Sequence, residues 1–187
     1  MIIDKIYAEY GNLVFNVALQ YVQNIEDAEE ITQDVFVSVH QNIGEYRQDA
    51  NIKTWIYRIT INKSLDHIKA KNCKKRFGFL TSIFISDMAN NHHQLSDFNH
   101  PGILLEQKET LKRIFAAINQ LSPNQRTALI LHKIDALPQS EISIIMGLSP
   151  KAVESLIQRA KSSLKTILFD KELGSSNTYQ LVGLKFT

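Results

Sequence analysis

Residues 149 to 162 read SPKAVESLIQRAKS, with Lys151, Glu154, Ser155, Gln158, Arg159 and Ser162 at intervals that share one side of a helix. Gln and Arg match the donor and acceptor pattern of base edges, and Lys and Ser suit phosphate oxygens. The inward set is Val153, Leu156, Ile157 and Ala160. Upstream, QSEISIIMG places Ile142, Ile145 and Met146 on a short helix that ends at Gly147. A short helix, a turn containing Gly and a capped second helix form the helix-turn-helix pattern, whose second helix can enter a major groove. An ordinary helical hairpin would show the same spacing.

A second group lies earlier. Residues 53–76 carry Lys53, Arg58, Lys63, Lys69, Lys71, Lys74, Lys75 and Arg76 against Asp66, a net +7. The only tryptophan, Trp55, sits within it, with Tyr57, Thr60, Asn62 and His67 interleaved. So dense a cationic block repels itself unless an anion is near. Cations among aromatic and amide side chains suit melted or single-stranded nucleic acid, where unstacked bases find new ring partners. For Trp55 a core role is also expected, because Ile52, Ile56 and Ile59 share its face.

The preceding residues 1–52 carry −7. In the helix expected over 24–42, Ala28, Ile31, Val35 and Val39 form the inner stripe. The other side shows Glu30, Gln33, Asp34 and, among them, Val37. A solvated face explains single acids; a cluster with an apolar residue in it also suits a protein partner with a basic surface. An acidic segment followed by a basic one implies two different partners, one of them polyanionic.

The elements that position these groups are nearly all helical. Residues 4–22 place Ile6, Tyr10, Leu13, Val14 and Val17 at helical spacing, and Asn24 reads as the next N-cap. NIGEYRQDAN reads as a loop, and a helix is expected from 52 to 76. Its two apolar faces, Ile52–Trp55–Ile56–Ile59 and Tyr57–Ile61–Leu65–Ile68, imply a change of packing partner along its length. Residues 77–102 lose periodicity and end in His100-Pro101-Gly102, so they read as a linker, with LTSIFI as a possible docking patch. Beyond it, Ser122-Pro123-Asn124-Gln125 forms a capping box and Ser149-Pro150 repeats the device. Residues from Asp170 on read as a polar tail.

Bulk properties agree with an all-α protein of two small domains. The chain has 187 residues, 44% of them hydrophobic, and only seven glycines and four prolines. No run is long enough to span a membrane, and MIIDKIYAEYGN lacks the features of a signal peptide. The single cysteine, Cys73, fits a reducing cytoplasm and reads as a bystander thiol. No Gly-rich phosphate loop, Cys/His ligand spacing or nucleophile motif is present, so no enzyme, cofactor or metal site is expected. A duplex-binding regulator that ignores polymerase and a helical protein-interaction module are the rival readings.

Taken in order, the blocks NIEDAEEITQDVFVSVHQNI, IKTWIYRITINKSLDHIKAK and INQLSPNQRTALILHKIDALPQSEISIIMGLSPKAVESLIQRAK resemble those of a bacterial extracytoplasmic-function (ECF) sigma factor. The resemblance implies a sigma-two-like domain at 1–76, a linker at 77–102, a sigma-four-like helix-turn-helix domain at 103–169 and a tail at 170–187. It implies binding to core RNA polymerase, promoter DNA and an anti-sigma factor. Glu30, Gln33, Asp34 and Val37 would dock on the polymerase. Arg47, Asn51, Lys53, Thr54 and Trp55 would hold a flipped base of the minus-ten element. Arg58, Asn62, Lys63, His67, Lys69, Lys71 and Arg76 would hold the strand or upstream duplex. Ser149, Lys151, Ala152, Glu154, Ser155, Gln158, Arg159, Lys161 and Ser162 would read the minus-thirty-five element, with Arg126 on its backbone. Many relatives carry a basic residue where Glu154 stands, so the grip of this recognition helix on DNA backbone is expected to be weaker; Glu154 could instead accept from a cytosine amino group.

Overall fold

A computed structural model describes residues 2–46, 51–84 and 105–172. Among them are seven α-helices, one 3-10 turn and no strand. The chain divides into two compact units, Met1–Asp97 and Phe98–Thr187.

The first unit packs α1 (Ile2–Val22), α2 (Ile25–Asn42) and α3 (Ile52–Phe84) against one another. The turn between α1 and α2 is tight because Gln23 adopts a left-handed conformation, φ 47°. Its side chain compensates by donating to the Gln20 carbonyl at 2.7 Å, which satisfies an end group of α1. Asn24 then caps α2: its backbone is extended, and its Oδ1 accepts from the Asp27 amide at 2.7 Å. Ile6, Val14 and Ala18 of α1 meet Ala28, Ile31, Val35, Phe36 and Val39 of α2 and Ile56 of α3. Ile52, Trp55 and Ile59 pack on the same cluster half-buried. On the other side of α3, Tyr57 and Ile61 are also buried. Where α3 is most enclosed it carries small hydroxyls: Thr60 and Ser64 donate to the carbonyls of Ile56 and Thr60, both at 2.8 Å. These bonds remove the cost of burying a hydroxyl and let neighbouring helices approach.

α3 does not stop near Arg76, where the linker was expected to begin; it continues to Phe84. Residues 77–84 contain no proline and only one glycine, Gly78, so propagation of the backbone ladder meets no strong breaker. The rest of that linker, 85–104, and the tail from 173 lie outside the described residues.

The second unit comprises α4 (Leu105–Ile118), α5 (Pro123–Lys133), α6 (Gln139–Met146) and α7 (Pro150–Glu172). α5 is its centre: Arg126, Thr127, Ala128, Leu129, Ile130 and Leu131 are all buried. A helix enclosed on every side must be covered all round, here in part by Ile142 and Ile145 of α6 and by Val153, Ile157, Ala160 and Leu164 of α7. The capping box at α5 forms as the sequence predicts: Ser122 accepts from the N3 backbone and Gln125 accepts from the Ser122 amide at 3.3 Å. α6 ends at Gly147 in the left-handed region, φ 65° and ψ 32°. The Leu148 amide then reaches back to the Ser143 carbonyl at 3.0 Å, closing the helix end. Ser149 caps α7, accepting from the Ala152 amide at 3.3 Å.

Candidate nucleic-acid interface

In the first unit, α2 buries Ile31 and Val35 and leaves Glu30, Gln33 and Asp34 exposed. Val37 is 55% exposed, while its neighbour Phe36 is buried and rests against Tyr7, ring centroids 4.7 Å apart. The four residues expected to meet a partner therefore form one outward stripe, at i, i+3, i+4 and i+7. An apolar side chain held in water within an acidic stripe gains from burial against a partner.

The basic helix divides its residues differently. Arg58, Asn62, Lys69 and Lys71 are exposed, and Lys53, Thr54, Trp55, Lys63 and His67 are half-buried. Asn51 starts the helix: its side-chain oxygen accepts from the Lys53 amide at 3.0 Å and its carbonyl from the Trp55 amide at 3.2 Å. Trp55 serves two purposes. One side packs on the core cluster, and its ring lies 5.1 Å from that of Tyr46 at an interplanar angle of 35°. Both line an open groove of about 440 Å³ with Ser38, Asn42, Ile59, Asn62, Lys63 and Asp66. Arg47 and the Arg76 side chain lie outside the described residues.

Two of the cations expected on DNA are engaged within the fold. His67 Nε2 lies 3.3 Å from Asp27 Oδ1, and the Lys71 ammonium contacts Asp27 Oδ2. Asp27 thus receives both residues one turn apart on α3 and ties the start of α2 to that helix. Its carboxylate also suits the positive end of the α2 dipole. Donor atoms of Asp27, Glu30 and His67 come within 4.8 Å of one another, and Lys71 supplies the cation at that cluster. Lys69 pairs with Asp66 at 3.4 Å, an exposed contact of small energetic weight. Sequence reading missed Asp27, Tyr46 and Asp66; the signal for the first was a His and a Lys at i, i+4 with an acid in the first turn of the neighbouring helix.

In the second unit, Ser149, Lys151, Glu154, Ser155, Gln158, Arg159 and Ser162 are exposed along α7, with Ala152 and Lys161 half-buried beside them. Arg126 is not available in the way expected. It is 5% exposed and sits in the enclosed helix α5, so it belongs to the interior of this unit and not to a surface that meets DNA backbone.

The geometry thus combines an acidic docking stripe, a basic helix with an aromatic groove and an exposed recognition helix. Comparison with known proteins agrees. Sigma-70 region 2 matches residues 6–73, and sigma-70 region 4 matches residues 111–164. The RNA polymerase sigma-H factor of Pseudomonas aeruginosa is 25% identical over 165 residues, which span 88% of this chain and 85% of that one. The ECF RNA polymerase sigma-E factor of Escherichia coli K12 is 24% identical over 161 residues, 86% of this chain and 83% of that one. The sigma factor RpoE from Bartonella quintana, solved in complex with the anti-sigma factor NepR, superposes with a TM-score of 0.62 at 20% identity, covering 89% of this chain and 96% of that one. The chain belongs to the sigma-70 family of transcription initiation factors, in its ECF form, in which regions 2 and 4 bind core RNA polymerase and recognise promoters. No helix among the described residues is long and apolar enough to cross a membrane.

Proposed function

We infer that this sigma factor divides its work by residue as its charge divides by segment. The stripe Glu30–Gln33–Asp34–Val37 docks a basic surface of core polymerase. The α3 face around Trp55, Arg58, Asn62, Lys63 and Lys69 takes the minus-ten strand. The α7 face from Ser149 to Ser162 reads the minus-thirty-five duplex. Residues 1–76 and 103–169 act as the two working domains, with 77–102 between them and 170–187 as an accessory tail. His67 and Lys71 reach DNA only by exchanging Asp27 for phosphate. The protein works in the cytoplasm and changes no covalent bond; strand opening is a binding exchange in which captured bases offset the cost of unstacking. An anti-sigma factor of the kind bound to the Bartonella protein is a natural antagonist.

The observation that carries this reading is the exposed stripe on α2 within the same unit as the basic helix. A duplex-only regulator has no use for either. The test is co-elution of the purified full chain with sigma-free core polymerase, beside Asp34→Arg. Reversing that charge should weaken core binding at least tenfold, because it sets a cation against a cationic partner surface. Retention of the variant by core at wild-type affinity would remove the docking assignment. Failure of the wild type to co-elute would favour the duplex-only regulator.

A further inference from the structure

We propose that Asp66 makes the groove beside α3 selective for a base bearing an exocyclic amino group, cytosine or adenine, in the melted minus-ten strand. This rests on the reading that α3 takes that strand. The groove lies between the C-terminal end of α2 and α3, and its size of about 440 Å³ falls in the ordinary range of small-molecule sites, roughly 300 to 1,000 Å³. Tyr46 and Trp55 form an aromatic wall and Ile59 adds apolar surface. A base pulled from the duplex regains there the stacking it has lost. Lys63 in the lining, and Lys69 at 3.4 Å from Asp66, supply charge for the flanking phosphates.

Base identity is then decided by the polar groups in the lining. A carboxylate only accepts hydrogen bonds, so Asp66 favours the N4 amino group of cytosine or the N6 amino group of adenine. It repels the O4 of thymine and the O6 of guanine. Asn42 acts in the same sense: its amide nitrogen donates to the Ser38 carbonyl at 2.7 Å, which leaves its side-chain oxygen as an acceptor. Asn62 and the Ser38 hydroxyl can donate or accept and so do not discriminate. The Asp66–Lys69 pair does not lock the site, since its side chains are 71% and 75% exposed and free to exchange partners.

The test uses full-length protein assembled with core polymerase on a promoter mapped with the wild type and randomised through its minus-ten element. Open complexes are captured and sequenced. Wild type should enrich adenine or cytosine over thymine and guanine at one non-template position by about 5- to 100-fold. Asp66→Asn, which can both donate and accept, should reduce that preference to less than about threefold at that position alone. Asp66→Ala should do the same, and both variants should co-elute with core as the wild type does, because the side chain is exposed. An unchanged base profile in both variants, with normal opening, overturns this proposal while leaving the strand-binding reading intact. Enrichment of thymine or guanine at every selected position of the wild type also overturns it. Wild-type protein that binds core but opens no template overturns the strand-binding reading, and this proposal with it.

Discussion

Asp27 carries more than its composition suggests. It stands in the first turn of α2, where a negative charge stabilises the helix, and it accepts from His67 and Lys71 on α3. Its side chain is only 18% exposed, so these contacts are less screened than an ordinary surface pair. Asp27→Ala should destabilise the first unit by about 1 to 2 kcal/mol, the sum of a dipole contribution and two partly shielded pairs. Lys71→Ala should cost less than about 1 kcal/mol, because that side chain is half in water. Urea unfolding of the full chain measures both, and the Asp27→Ala loss should shrink in 1 M salt. A loss that salt leaves unchanged would mean that Asp27 acts through packing. None of this was legible in the sequence: Lys71 and Asp27 are 44 residues apart, and no local pattern pairs them. Arg126 was illegible for a related reason. A cation in the first turns of a helix reads as surface unless the tertiary fold covers that helix completely, as it does α5.

The helices themselves were legible because their boundaries are set by local chemistry. Asn24, the Ser122–Gln125 box and Ser149 each satisfy amides that no helix can satisfy internally. Gly147 is the sharpest case. At φ 65° a side chain is strained, yet a Cβ there would meet nothing within 4 Å. The cost of substitution is therefore that of the backbone alone. Gly147→Ala should destabilise the second unit by about 1 to 2 kcal/mol, and Gly147→Asn by clearly less, since Asn tolerates the left-handed region. Thermal unfolding of the three proteins checks the order; equal midpoints would show that the turn relaxes to another conformation. The end of α3 was illegible because no such device marks it. Gly78 weakens a helix by only about 1 kcal/mol, too little to stop one already propagating. The aromatic groove was half legible: Trp55 was singled out, but Tyr46 and Asp66 join it only through the packing of α2 on α3.

Over the whole molecule, net charge hides the organisation that matters. A total of +2 conceals −7 in residues 1–52 and +7 in residues 53–76. A chain that used one surface for one polyanion would have no reason to place an acidic stripe in the same unit as its basic helix. Separate partners predict separable defects. Arg58 is exposed on α3, and it lies outside the stripe on α2 that is assigned to the polymerase. Arg58→Ala should reduce open-complex formation by roughly tenfold near physiological salt and lower the slope of its logarithmic salt dependence by about one, the signature of one lost phosphate contact. Its affinity for core should stay within about twofold of wild type. Asp34→Arg should show the reverse order, with core binding lost first. Combined, the two changes should act additively on free energy, because they touch different partners and share no contact. Equal loss of core binding and opening in Arg58→Ala alone would mean that one surface serves both partners, and the charge segregation would then need another cause.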